Sequence, residues 1–449
     1  MNSTSIWALA AAVSLALATG WLALSLIVVL RSTRPRRTPN PPPRRVRTGR
    51  GARQKVVVLL AAHNEERSIR ATLRSVTGQS RVPDLVVVAL DNCTDRTEEL
   101  VRQVPGVEAF RTEGNGAKKP GALNQAWHRY CQDADLLVCI DADTILGPSA
   151  VRDWEAEFVE NPNLGGCSAK FTMLVQGGMS FFEKFLVRLQ RAEFAKWTDL
   201  ALRRGRRTNV LAGTACCLRN DALRELCAWR AASGSGDVPN PWLETSVVED
   251  FELTYRLREL GWETKVSATV RAYTDAMTDL RSLWAQRMKW QTGTVDDLCL
   301  FGVNRLTLFD WWQQVQGMVA IFVRLAWIVL TVAAVTFGNL TFHPLWLIPP
   351  ALFLASDVRQ SFRIPHCEPA DVVMAALLLP QEAFAFMRAG WFLASWGQKL
   401  AGDAWHSFDD ALGLERPQRR DRWAAQASAE KNRASGYGAL ADPRALTAS

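Results

Sequence analysis

The chain has 449 residues, 48% hydrophobic and 22% charged, with 53 Lys and Arg against 45 Asp and Glu for a formal net charge of +8. Such a composition excludes an intrinsically disordered chain and allows one large domain or two ordinary ones. Ten of the basic residues lie within 31–55, where there is no acid, so 43 basic residues face 45 acidic ones elsewhere. The high pI is therefore local, and nucleic acid is not an expected partner.

Residues 6–30 carry no charge. As a helix they would reach ~37 Å against a hydrocarbon core of ~30 Å, which predicts an N-terminal transmembrane helix. A cleaved signal peptide is the weaker alternative, because no basic segment precedes the run. Residues 31–54 form a basic, Pro-rich linker, expected on the cytoplasmic side beside anionic lipid. The nine cysteines show no CxxC pair and no Cys/His metal spacing, so reduced, mostly buried thiols are expected.

From residue 55 the pattern alternates. "KVVVLLAA" (55–62) and "DLVVVAL" (84–90) are continuous apolar runs, as in strands covered on both faces. Between them Ile69, Leu73 and Val76 recur at helical spacing. Asp95, three residues before Glu98, suggests a capping box at the next helix. A short strand at 107–111, a helix in "GALNQAWHRYC" and a strand in "DLLVCI" follow. The alternation predicts an α/β domain with a mostly parallel sheet and helices on both faces. Ligands bind beyond the carboxyl ends of such strands. Three of those ends are polar here: His63-Asn64-Glu65, Asp91-Asn92 and Asp141-Ala142-Asp143. "AAHNEE" is not GxGxxG and "GNGAKKPG" is not a P-loop, so neither a Rossmann dinucleotide site nor a P-loop is expected.

Asp141 and Asp143 are two residues apart at the end of an apolar run. In extended chain, residues i and i+2 face one side, ~6–7 Å apart. Two like charges at ~6 Å and an effective dielectric of ~20 repel by about 3 kcal/mol. A divalent cation held by oxygen ligands and completed by substrate phosphates would offset this. For an isolated acid pair the bland alternative is preferable: one acid caps the next turn and the other faces water. Asp250 poses a similar choice. It opens the amphipathic stretch 250–260, which Gly261 should stop. An acid is favourable there for the helix dipole alone, and on these residues capping and catalysis weigh equally.

The ordered set of motifs changes that weighting. "VVVLLAAHNEE", "DNCTDRT", "KKPGALNQA", "DADT", "LAGTACCLRNDAL", "VVEDFELTYRLRELGW" and "QRMKW" together resemble the family 2 glycosyltransferases with a GT-A catalytic domain. In pattern they are similar to the membrane-bound cellulose, chitin, hyaluronan and poly-N-acetylglucosamine synthases. The resemblance covers about 55–300. It implies donor binding by His63, Glu65, Asp91, Lys119, Asp141, Arg287 and Lys289, with Asp91 and His63 on the nucleoside and Lys119 near the diphosphate. It implies a metal ligand at Asp143, for Mg2+ or Mn2+, and a general base at Asp250. Acceptor contacts would come from Gly213, Thr214, Gln286 and Trp290, with the indole stacking on a sugar. Two departures stand out: His63 replaces an aromatic, and Lys289 replaces Arg, which keeps the charge but loses the bidentate fork.

Beyond the catalytic domain, 301–398 is apolar enough to predict a membrane region. Spans are expected at about 316–337, which contains Arg324, and 340–356. The segment 371–396 is expected as an interfacial helix or a third span. Residues 399–449 form a polar tail. The expected enzyme is an inverting hexosyltransferase, multi-pass in the plasma membrane with its catalytic domain cytoplasmic. It would move a sugar, GlcNAc or another hexose, from a nucleotide diphosphate sugar to a glycan, processively. Single addition to a lipid-linked or protein acceptor is the alternative. An inactive nucleotide-sugar-sensing regulator is the alternative of another class.

Overall fold

In a computed structural model the protein is described over residues 53–233, 239–338 and 348–411. The expected helix at 6–30, nearly all of the linker, the stretch 340–347 and the tail beyond 411 lie outside the described residues. Strand β1 (Val56–Ala62) is an apolar run that pairs in parallel with β2 (Leu85–Leu90) and β4 (Leu136–Asp141). Strand β3 (Val107–Arg111) extends the sheet beyond β2, also in parallel. The other strands are β5 (Ile145–Leu146), β6 (Leu164–Met173), β7 (Ala215–Arg219) and β8 (Glu263–Thr274). All eight form one sheet in the order β3-β2-β1-β4-β7-β6-β8-β5.

Alternate side chains point to opposite faces of a strand, so an unbroken apolar strand needs cover on both. Val56, Val58 and Leu60 pack against α1 (Ile69–Thr77), α2 (Thr97–Arg102) and α4 (Ala150–Glu160). Val57 and Leu59 pack against α3 (Lys118–Tyr130), α6 (Asn220–Ser233) and α7 (Glu249–Glu259). Two long helices, α5 (Phe181–Arg203), opened by a Ser180–Glu183 capping box, and α8 (Leu280–Phe301), also belong to this part of the chain. Helices α9 (Leu308–Thr336), α10 (Ile348–Ser361), α11 (Pro369–Ala376) and α12 (Leu378–Ala411) follow.

One expectation is met in part and two need correction. The sheet is mixed, with four parallel pairings (β1–β2, β1–β4, β2–β3 and β6–β8) and three antiparallel ones (β4–β7, β6–β7 and β5–β8). Strict strand–helix alternation ends at β4, and beyond it the chain returns along the sheet. Asp95 makes no capping box. Its carboxylate accepts from the Thr97 N–H at 2.9 Å, the Thr97 hydroxyl at 2.5 Å and the Glu66 N–H at 3.1 Å, and Arg96 stands at the N-cap. Lastly, among the described residues no single helix is long and apolar enough to cross a membrane. One bent pair, Pro369–Ala376 with Leu378–Gly402 at 77°, has the length and composition to do so. The cysteines are all free thiols, six of them buried.

The register positions the site. Ala61 lies level with Asp141 and Ala62 with Leu90. The polar segments after β1, β2 and β4 therefore leave the sheet at one rim. The antiparallel return of β7 brings residues 213–214 to the same rim, where the Asp141 N–H donates to the Thr214 carbonyl at 3.0 Å.

Candidate active site

At the β1–β2 end of the rim, His63 is exposed and its Nδ1 lies 2.6 Å from the Asp91 carbonyl oxygen. That contact requires the proton on Nδ1 and leaves the outer edge of the ring uncovered. Asp91 is only 6% exposed. Its Oδ1 accepts from Asn115 Nδ2 at 2.8 Å, Thr112 Oγ1 at 2.9 Å and Asn92 Nδ2 at 3.0 Å. Glu65 is used at the foot of α1, where its Oε2 accepts from Ser68 Oγ at 2.8 Å. Among the described residues five non-glycine positions have positive φ, and three of them, Asn64, Asn92 and Lys118, border this rim. Such backbone costs on the order of 1 kcal/mol or more and collects where loops are shaped for function.

Three chain segments converge on Lys119. Its Nζ lies 2.5 Å from Asp141 Oδ1, 3.3 Å from the Gly213 carbonyl and 3.7 Å from Glu249 Oε1. Burial works to lower its pKa, but Asp141, Glu249 and Asp250 outweigh it and hold the ammonium above its ordinary value. A Cβ on Gly213 would stand 2.9 Å from Lys119 Nζ and 3.9 Å from Asp250 Oδ2. A side chain there would crowd the ammonium and make the Lys119 side chain shift.

Asp250 sits in the first turn of α7 without capping it in the usual way, since Val248 is the N-cap and makes no side-chain cap bond. Its Oδ2 accepts from the Gly213 N–H at 3.2 Å and its Oδ1 from the Phe251 N–H at 2.8 Å. Burial and the neighbouring Glu249 carboxylate raise its pKa from 3.8 to about 6, against the pull of the Gly213 N–H and Lys119. A carboxylate so placed can accept a proton near neutral pH. Gly261 has φ +86° and ends this helix as expected.

Asp143 is half-buried, two residues past Asp141, with Thr144 Oγ1 3.4 Å from its Oδ1. Among the described residues no group of three or more His, Cys, Asp or Glu is poised around one metal position. The two carboxylates nevertheless suit Mg2+ or Mn2+, which are commonly held by one or two carboxylates and completed by substrate phosphates and water.

Helix α8 carries the remaining candidates. Lys289 is exposed and Gln286 half-buried. Arg287 is 3% exposed. Its Nε and Nη2 donate to Glu193 Oε2 on α5 at 3.1 and 2.8 Å, and its Nη1 to Gln286 Oε1 at 2.5 Å. The guanidinium also lies 4.4 Å from the Trp290 ring centroid. A diphosphate-binding role for Arg287 is not what this packing offers, because a buried guanidinium must spend its donors on a partner. Instead it stands behind Trp290. That indole is half-buried, 6.2 Å from Trp197 and 6.3 Å from Phe194, and it packs on the cluster of Val248 and Phe251 that flanks Asp250. Gly293 permits the approach, since a Cβ there would come within 2.8 Å of Val248.

The sequence gives no sign of Glu193, Thr112 and Asn115, whose partners lie more than 20 residues away, nor of the pairing between Glu249, the neighbour of Asp250, and Lys119. No local spacing signals such pairs.

The family model "Glycosyltransferase like family 2" matches residues 53–293. The poly-beta-1,6-N-acetyl-D-glucosamine synthase of Staphylococcus epidermidis is 24% identical over 268 residues, 58% of this chain and 57% of the relative. The enzyme of that name from Staphylococcus aureus strain COL is 24% identical over 242 residues, 53% of this chain and 54% of the relative. The chain thus spans about half the length of the curated relatives it matches. A mannosyltransferase from Pyrobaculum calidifontis, solved with GDP-Man and Mn2+, is similar over 87% of this chain and 98% of its own, at 18% identity and a TM-score of 0.47.

Proposed function

The chain belongs to glycosyltransferase family 2, and from that premise we propose that it is a membrane-bound inverting hexosyltransferase with a GT-A type catalytic domain. It transfers a sugar, with N-acetylglucosamine the first candidate, from a nucleotide diphosphate sugar to a hydroxyl of a growing glycan. The observation that carries the reading is Asp250, raised to about 6 beside the Lys119–Asp141 pair.

In this reading Asp91 and His63 hold the nucleoside, and the Lys119 ammonium faces the diphosphate. The acceptor hydroxyl lies against Asp250, its sugar ring stacked on Trp290. The acceptor oxygen bonds to the anomeric carbon from the side opposite the diphosphate. The bond from that carbon to the phosphate oxygen breaks, and the hydroxyl proton passes to Asp250, so the configuration inverts. Asp141 and Asp143 would hold Mg2+ or Mn2+, which supplies charge neutralisation at the leaving diphosphate.

Contact with a bilayer is supported by the outward face of α9, where Phe322, Val323, Val329 and Val332 are all more than half exposed. A plasma-membrane enzyme with its catalytic domain on the cytoplasmic side would meet its nucleotide sugar directly. The test is to incubate membranes containing the protein with a panel of radiolabelled nucleotide sugars and to size the product. A polymer establishes processivity and a single sugar establishes single addition. If no sugar is incorporated from any donor, the transferase reading fails.

A further inference from the structure

Across the parallel β6–β8 pair, Lys170 stands directly opposite Arg271, next to an irregularity in register after Ser168. Like charges facing one another across strands destabilise a sheet. Among the described residues neither cation has a carboxylate partner. Lys170 Nζ donates to the Ala268 carbonyl at 2.7 Å. Arg271 Nη1 is buried without a hydrogen-bond partner, and so is Thr172 Oγ1, two residues along β6. Glu157, which acts on Lys170 electrostatically, is taken by Arg206 and by Ser267 Oγ at 2.6 Å. Burial, Arg271 and Arg206 together hold the Lys170 ammonium below its ordinary pKa.

A cavity of about 390 Å³ borders these residues, between the strands, α5 and the α10–α11 connection. Three cations (Lys170, Arg271, Arg363) and one acid (Asp199) line it. Asp199 is already paired with Arg203 at 2.6 Å and with Arg363. Arg191, itself buried, holds the far wall by donating to the Pro365 and His366 carbonyls at 3.3 and 2.8 Å. None of the residues around Lys119 lines it.

We propose that this cavity is a second anion site, taking the phosphoryl group of a phosphate ester between Lys170 and Arg271. An anion there would relieve the like-charge contact and give the orphaned donors an acceptor. The cavity is of small-ligand size, so it admits the ester's substituent as well. Phe362, two-thirds exposed, also lines it and offers an apolar surface to that substituent. The bound ester would tie the catalytic sheet to the helices beyond α9. Its source is either a soluble phosphate ester or the headgroup of a lipid.

The test uses full-length protein in detergent, with thermal unfolding and calorimetry as readouts. The probes are inorganic phosphate, and phosphatidylcholine vesicles with and without phosphatidylglycerol. The variants are Lys170→Gln/Arg271→Gln and, separately, Thr172→Val. Removing the repulsive pair should leave ligand-free stability equal or higher. Apparent anion affinity should fall about ten-fold or more in the double variant, while UDP binding is unchanged. A response to inorganic phosphate points to a soluble ester, and one seen only with phosphatidylglycerol points to a headgroup. If neither probe stabilises the wild-type protein, or if the double variant responds equally, the site does not exist. Should the double variant fail to fold, the Thr172→Val protein decides: weakened anion binding supports the site and unchanged binding overturns it.

Discussion

Arg287 and Glu193, 94 residues apart in the chain, form a buried ion pair at 2.8 Å directly behind the Trp290 ring. The pair joins α8 to α5 and sets the plane against which an acceptor sugar would stack. Breaking such a pair on one side leaves a charge uncompensated in low dielectric, at a cost of about 3–5 kcal/mol. Glu193→Gln should therefore lower the denaturant midpoint and shift tryptophan fluorescence. It should shorten the product or raise the acceptor KM, with donor binding nearly unchanged. Equal losses in donor and acceptor binding would refute the assignment to Trp290.

Asp250 makes a two-sided prediction. Asp250→Asn should retain nucleotide binding while the transfer rate falls ~10²-fold or more. The wild-type rate should climb as pH rises through about 6, where the carboxyl ionises, and level off above. For stability the sign is opposite. The folded pKa exceeds the unfolded one, so the native state binds more protons between about 4 and 6, and stability falls as pH rises through that window. Above pH 6 the Asn variant should be the more stable protein, by up to about 3 kcal/mol. Near-normal turnover would return Asp250 to a structural role at the start of α7.

Lys119 balances three carboxylates, Asp141, Glu249 and Asp250. Lys119→Gln should weaken nucleotide diphosphate binding by ~10–100-fold, the range expected for one charge-assisted contact. It should also move the rising limb of the pH–rate profile upward, because Asp250 loses the cation that favours its charged form. Calorimetry with UDP and a pH series check the two effects separately. An unmoved limb would mean that Lys119 and Asp250 are not coupled.

Asp143→Asn should weaken nucleotide binding when Mg2+ or Mn2+ is present and have less effect in a chelator. Binding that is equally weak in both conditions would argue against a metal ligand at this position.

Arg324 Nε donates to Glu382 Oε2 at 3.1 Å, bridging α9 and α12 beside a cavity of about 200 Å³ that Lys196, Asp357 and Arg388 also line. Arg324→Leu removes this partner from Glu382 and unties α9 from α12, and should reduce glycan synthesis or yield. The exchange Arg324→Glu/Glu382→Arg should restore part of it. If Arg324→Leu leaves both expression and synthesis unchanged, the pair has no functional weight.

What was legible in the sequence is what rests on neighbours in the chain. Continuous apolar runs marked β1, β2 and β4, because a strand covered on both faces shows no alternation. Their polar ends marked the rim, because parallel strands finish on one side. The spacing of Asp141 and Asp143 marked a candidate pair of metal ligands, and Gly261 marked the end of α7.

Contacts between distant segments were decided only by the tertiary structure. The antiparallel return of β7 brings Gly213 to Lys119, and no periodicity in residues 164–219 encodes strand direction. The pairing of Lys119 with Glu249 spans 130 residues, and it arises because α3 and α7 share one face of the sheet. Arg287 illustrates the limit most clearly. Its place in "QRMKW" suggested a phosphate ligand, yet the rotation of α8 turns it inward. Once buried, its charge requires Glu193, a partner that only the packing of α5 could supply.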